Sequence, residues 1–125
     1  MKKIIKTVRA PDPIGPYSQA VLINNTLYAS GQIAIDPATG ELVTHEIKSE
    51  THQVMKNIQA ILSEAGMGFQ DVVKTSIFLL DMNNFAAVNE VYGSYFTKDF
   101  PARETVQVSG LPKNVNVEIS ITALK

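Results

Sequence analysis

Val115-Asn116-Val117-Glu118-Ile119-Ser120-Ile121-Thr122-Ala123 alternates apolar and polar residues from end to end. Side chains on a β-strand project to opposite faces with a period of two, so Val117, Ile119 and Ile121 share one face. Asn116, Glu118, Ser120 and Thr122 share the other. Upstream, the run Thr105 to Val108 alternates as well, and Gly110-Leu111-Pro112-Lys113-Asn114 is a turn-prone link between the two runs. Val106 and Val108 point one way, whereas Arg103, Thr105 and Gln107 have the opposite parity. If helices cover the apolar face, the second face holds small polar residues with one Arg and one Glu. A freely solvated face usually carries more Lys and Glu. A mildly polar, low-charge face suits a subunit interface that encloses a wet pocket.

Helices of the right length are present to cover such a sheet. Ile47, Val54, Met55, Ile58, Ile61, Leu62 and Ala65 recur at helical spacing, and Gly66 follows as a C-terminal cap would. A second helix is expected from about Asn84 to Thr97, with Phe85, Val88, Tyr92, Tyr95 and Phe96 on one side and Asn83 or Asn84 as N-cap. Ala20 to Ile23 and Leu27 to Ser30 flank Asn24-Asn25-Thr26, a hairpin signal because Asn tolerates positive φ. Val72 to Leu80 is a β-rich run. The order β-β-β-α-β-α-β-β predicts an α+β fold of two layers, a mostly antiparallel sheet under two helices, in one domain over residues 1–125.

Composition narrows the chemistry. Of 125 residues, 45% are apolar and 18% charged, and none is Cys. That removes disulfides, zinc-thiolate sites, iron–sulfur clusters and thiol nucleophiles together. Eleven Lys+Arg against twelve Asp+Glu leave no basic surplus of the kind a nucleic-acid binder carries, so no nucleic-acid partner is expected. The longest apolar run, Ile77-Phe78-Leu79-Leu80, is far shorter than the roughly 20 residues of a membrane span. With no recognisable leader behind Met1-Lys2-Lys3-Ile4-Ile5-Lys6, a cytoplasmic protein is expected.

Few residues can carry chemistry. His45 and His52 lack a third ligand at metal-site spacing, no Walker or dinucleotide loop is present, and no Ser sits in a nucleophile elbow. Arg103 and Glu118 remain. A guanidinium set by the stiff lead-in Phe100-Pro101-Ala102 can grip a carboxylate through two parallel hydrogen bonds. A Glu whose surroundings raise its pKa can move protons to and from water. Periodicity alone does not separate this pair from a surface ion pair, and it reaches no reaction.

Six ordered blocks go further. Ile14-Gly15-Pro16-Tyr17-Ser18-Gln19-Ala20, Ala29-Ser30-Gly31-Gln32-Ile33, Pro37-Ala38-Thr39-Gly40-Glu41, Asp71-Val72-Val73-Lys74-Thr75, Phe100-Pro101-Ala102-Arg103 and Leu111-Pro112-Lys113-Asn114-Val115-Asn116-Val117-Glu118-Ile119 resemble the RidA (YjgF) family over nearly the whole chain. The resemblance implies a chorismate-mutase-like fold and a homotrimer whose sheets form a central barrel, with three equivalent clefts between subunits. It implies hydrolysis of reactive 2-imino acids and their enamines, such as 2-aminoacrylate, to 2-oxo acids and ammonia. Such intermediates leak from pyridoxal-phosphate enzymes. No metal or organic cofactor is implied.

Residue by residue, the resemblance makes Arg103 the holder of the substrate carboxylate. Glu118 would position the attacking water and shuttle protons. Gly31 would place backbone groups against the imine or the water, with Ser30 flanking it, and Tyr17 would close the cleft. Asn89 would stand near the pocket. Thr105 occupies a position where many members carry Cys, a departure that bears on pocket shape and puts any thiol-dependent role in doubt. Two other classes stay open at this point: a translation inhibitor or ribonuclease, and a non-catalytic ligand-binding or chaperone-like trimer.

Overall fold

A computed structural model describes residues 1–125. The chain runs β1 (Lys3–Ile5), β2 (Ala20–Ile23), β3 (Thr26–Ala29), α1 (Ile47–Glu64), β4 (Val72–Leu79), α2 (Phe85–Gly93), β5 (Ala102–Gln107) and β6 (Val117–Leu124). Single 3-10 turns at Phe69–Asp71, Met82–Asn84 and Pro112–Asn114 lead into β4, α2 and β6. One six-stranded sheet has the order β1-β2-β3-β6-β4-β5. Every neighbouring pair is antiparallel except β4 and β5, which are parallel. Both helices pack on one face, so the fold is the expected two-layer α+β arrangement. No helix is long and apolar enough to cross a membrane.

Local chemistry explains the elements. Asn24 (φ 48°) and Asn25 (φ 67°) turn the β2–β3 hairpin in the left-handed region that Asn tolerates. Helix α1 starts where the Glu46 carboxylate accepts from the Lys48 and Ser49 amides at 3.0 and 2.9 Å. It ends at Gly66, whose φ of 73° lets the Met67 amide reach back to the Leu62 carbonyl at 2.8 Å. The apolar stripe of α1, with Val54, Ile58 and Ile61 fully buried, packs with Val88 of α2 onto Ile77, Leu79, Val117 and Ile119 of the sheet.

The second helix departs from its expected limits. It stops at Gly93 rather than Thr97, and neither Asn83 nor Asn84 caps it through its side chain; instead the Asp81 carboxylate accepts from the Asn83 amide at 2.9 Å. Ser94 Oγ donates to the Val91 carbonyl at 2.6 Å as the chain leaves the helix. Tyr95 and Phe96 kept the apolar spacing without being helical, because from the following loop they pack on the Phe69 ring at 5.3 and 5.4 Å.

Register pairs Ile77 with both Thr105 and Ile119, and Thr75 with both Arg103 and Ile121. Phe78 pairs with both Val106 and Glu118. Paired residues share a face, so Arg103 and Thr105 lie on the helix-covered face and Glu118 on the open one. The expectation of Arg and Glu together on one face is overturned. The phase of β5 is inverted because β5 is an edge strand: its apolar Val106 faces the open side and is 41% exposed there with Glu104, which pairs with Lys74, while Arg103 turns to Phe85, Asn89 and Tyr92 of α2. The open face does carry the expected small polar residues, Ser76, Ser120 and Thr122, between Tyr28, Phe78 and Val106, but it also carries an ion pair that was not expected, Lys74 with Glu104 at 2.9 Å.

Candidate active site

The sheet sorts the candidate residues into two clefts. Ile14, Tyr17, Ser30, Gly31, Pro112 and Glu118 line the first. Its floor forms where the segment after β3 crosses β6, joined by paired backbone bonds between Gln32 and Ile119 of 2.8 and 3.1 Å. Glu118 lies directly against Gly31. A Cβ at Gly31 would fall 2.6 Å from Glu118 Oε2, so only glycine leaves room for the carboxylate in this position. Ser30 Oγ donates to the Ser18 carbonyl at 2.6 Å, which ties the two walls together.

The outer wall is the long segment before β2. Gln19, 2% exposed, accepts from the Thr7 amide at 2.7 Å and donates to the Pro11 carbonyl at 2.8 Å. That side chain fastens residues 7–11 and presents Tyr17 at the cleft mouth, where its hydroxyl accepts from the Ile14 amide at 3.2 Å. Glu118 takes part in neither salt bridge of the chain. Burial pushes its carboxyl pKa up from the ordinary glutamate value, and no cation pairs with it to oppose the shift. A half-buried carboxyl of this kind is suited to proton transfer.

The second cleft is lined by Asn89, Tyr92, Gly93, Phe100, Pro101 and Arg103. Arg103 Nη1 donates to Asn89 Oδ1 at 2.8 Å, and its guanidinium carbon stands 5.2 Å from the Tyr92 ring centroid and 5.7 Å from that of Phe85. Tyr92 is itself fixed by a 3.1 Å bond from its hydroxyl to Thr75 Oγ1. The planar cation is thus held by one hydrogen bond and two aromatic rings and has no carboxylate partner in its own chain. Such a group can receive a carboxylate from outside.

Tyr17, Ser30, Gly31 and Glu118 therefore come together, as do Asn89 and Arg103, and the two sets lie on opposite faces of the sheet. Thr105 lines neither cleft; its hydroxyl is buried without a hydrogen-bond partner. Sequence reasoning missed Phe85 and Tyr92 as the rings that carry Arg103, having placed them only on one side of the second helix. It also missed Gln19, whose contacts span up to 12 residues of chain and leave no periodic signal. His52, left without a role, meets the Tyr95 hydroxyl at 3.0 Å on the outer side of α1.

Residues 7–125 match the family model described as Endoribonuclease L-PSP. Over 125 residues the chain is 54% identical to a RutC family protein of Pyrococcus horikoshii, covering 100% of this chain and 99% of that one. It is 47% identical to the human 2-iminobutanoate/2-iminopropanoate deaminase, covering 100% of this chain and 91% of the human protein. Among solved structures it superposes with a TM-score of 0.95 on Escherichia coli TdcF with bound serine, at 40% identity and 98% coverage of both chains.

Proposed function

The chain belongs to the endoribonuclease L-PSP family, which includes the RidA and YjgF proteins, and from that premise we propose that it is a cofactor-independent deaminase of 2-imino acids. The reaction is hydrolysis: a 2-imino acid and water give a 2-oxo acid and ammonia. Arg103 holds the substrate carboxylate by two parallel hydrogen bonds. Glu118 orients a water about 3 Å from C2 of the imine, takes a proton from it as the C–O bond forms, and passes the proton to nitrogen. Glu118 then takes the hydroxyl proton of the carbinolamine and delivers it to nitrogen, so that C=O forms as the C–N bond breaks and ammonia leaves. An enamine enters the same route after proton transfer to C3. An iminium carbon is already electrophilic, so positioning and a proton relay meet the chemical need. Gly31 offers backbone groups to the water or imine, Ser30 stiffens that wall, Tyr17 closes the mouth, and Asn89 sets Arg103. Thr105 lies on the same face of β5 as Arg103, behind the cleft that it does not line.

The observation that carries this reading is the complementarity of two incomplete clefts. One holds a carboxyl with a raised pKa and no cation; the other holds a cation with no carboxylate. Within one chain the sheet keeps them apart. We infer a homotrimer in which the Glu118 cleft of one copy meets the Arg103 cleft of the next. The open sheet face supports this assembly, since Ile4, Tyr28 and Val106 are 50, 54 and 41% exposed there. A cytoplasmic location is proposed with it, as the compartment in which pyridoxal-phosphate enzymes release such imines.

The ribonuclease activity in the family's description finds less support. Arg103 is the sole cation lining either cleft, whereas gripping a nucleic-acid backbone takes several. The decisive assay generates 2-aminoacrylate from serine with a dehydratase, traps the free imine with semicarbazide, and follows pyruvate release. The expected result is faster pyruvate release and less semicarbazide adduct with the wild-type chain, and loss of both effects with Arg103→Ala. No acceleration, or full activity in Arg103→Ala, would overturn the mechanism.

A further inference from the structure

Helix α1 carries three fully buried polar residues: Thr51, whose hydroxyl donates within the helix to the Ile47 carbonyl, and Glu50 and Asn57, two turns apart, neither of which any step above uses. Glu50 and Asn57 both reach across to backbone next to the Glu118 cleft. Glu50 Oε2 accepts from the Asn116 amide at 2.7 Å and the Val117 amide at 3.2 Å, and Oε1 accepts from Asn116 Nδ2 at 2.7 Å. No salt bridge balances its charge. Asn57 Nδ2 donates to the Ile33 and Ile35 carbonyls at 3.1 and 3.0 Å, while Oδ1 accepts from Gln53 Nε2 at 3.0 Å.

A buried carboxylate is costly unless its oxygens are well bonded, and an apolar side chain would fill the same space without that cost. These bonds fall on the two residues immediately before Glu118. The Asn116 carbonyl is fixed too, accepting from the Leu80 amide at 3.0 Å, and the Gln32–Ile119 bridge holds the chain on the far side of Glu118. We propose that Glu50 is a positioning residue: by clamping Asn116 and Val117 from the covered face, it sets where Glu118 emerges on the open face. Asn57 holds the segment that follows Gly31, so one helix fixes both walls at the point where Gly31 and Glu118 meet. The proposal rests on the imino-acid deaminase reading.

Hydrogen-bond chemistry separates the variants. In Glu50→Gln one amide oxygen serves both backbone N–H groups, and the amide NH₂ donates to Asn116 Oδ1 once that side chain turns over. In Glu50→Asp the oxygens fall a methylene short. The test is steady-state imine hydrolysis per folded molecule, with folding followed by circular dichroism. Glu50→Gln should stay within about twofold of wild type, whereas Glu50→Asp should lose roughly 10- to 100-fold in kcat. KM should stay within about threefold in both, because Arg103 sets carboxylate binding. Ile61→Ala, a core truncation on the same helix, should leave kcat per folded molecule unchanged. If Glu50→Asp does not fold, Asn116→Ala removes one of the three bonds and should lower kcat with KM held.

Wild-type kcat in a folded Glu50→Asp (or, failing that, Asn116→Ala) would overturn the proposal. So would Glu50→Gln being as slow as Glu50→Asp, or Ile61→Ala losing as much. A wild-type chain that hydrolyses no imine would instead overturn the deaminase reading, and the positioning role with it. Activity in wild type, lost in Glu118→Gln but indifferent to Glu50, would leave that reading standing and remove only this proposal.

Discussion

Glu118 sits where a carboxyl is least comfortable charged. Burial raises its pKa above the ordinary value of 4.5, and the carboxyl lies so close to Gly31 that a Cβ there would collide with it. The sign follows from linkage. Its charged form is disfavoured in the fold, so the stability it contributes is fully present below pH 4.5 and is lost as pH rises through the raised pKa. For turnover by the proposed mechanism the direction reverses, since the carboxylate is the form that would accept the water's proton. The pH profile of kcat should therefore show an acid limb above pH 4.5, and Glu118→Gln should lower kcat by at least about 100-fold and abolish the limb. An acid limb that survives in Glu118→Gln would assign it to another group. Arg103 shows the complementary logic, a cation held flat by Phe85, Tyr92 and Asn89 with room left for an incoming carboxylate.

At the scale of elements, local signals were legible and non-local ones were not. The β2–β3 turn was readable because two Asn residues adopt the positive φ that the hairpin needs. The end of α1 was readable because Gly66 supplies a left-handed cap. Gly66→Ala meets no steric neighbour, so its cost is the backbone strain alone, about 1 kcal/mol, or roughly 4 °C in Tm. A thermal melt checks this, and an unchanged Tm would contradict the cap. The end of α2 was hidden because Tyr95 and Phe96 keep helical spacing while packing from a loop. The face of Arg103 was hidden for a similar reason. Alternation gives parity within β5, but which parity faces the helices depends on β5 lying at the sheet edge beside β4, a fact of topology. Gln19, Glu50 and Asn57 act on distant backbone through hydrogen bonds, which no periodic pattern records.

Across the whole molecule, the sheet divides one set of chemically complementary residues between its two faces. The six sequence blocks anticipated most members of the set but not their separation. Glu118, Gly31, Ser30 and Tyr17 belong to one cleft, Arg103 and Asn89 to the other. In the proposed assembly a second copy joins them, and the exposed apolar residues on the open sheet face supply a surface for it. The same division makes the account testable without a structure of the assembly. Arg103→Ala and Glu118→Gln each damage every cleft of their own homo-oligomer. Mixed subunits pair an intact Glu118 cleft with an intact Arg103 cleft. Equal amounts of the two inactive variants, unfolded together and refolded, should regain imine hydrolysis at about a quarter of the wild-type rate, the share of interfaces that combine both intact halves. A mixture that stays as inactive as its parents would contradict a cleft shared between copies.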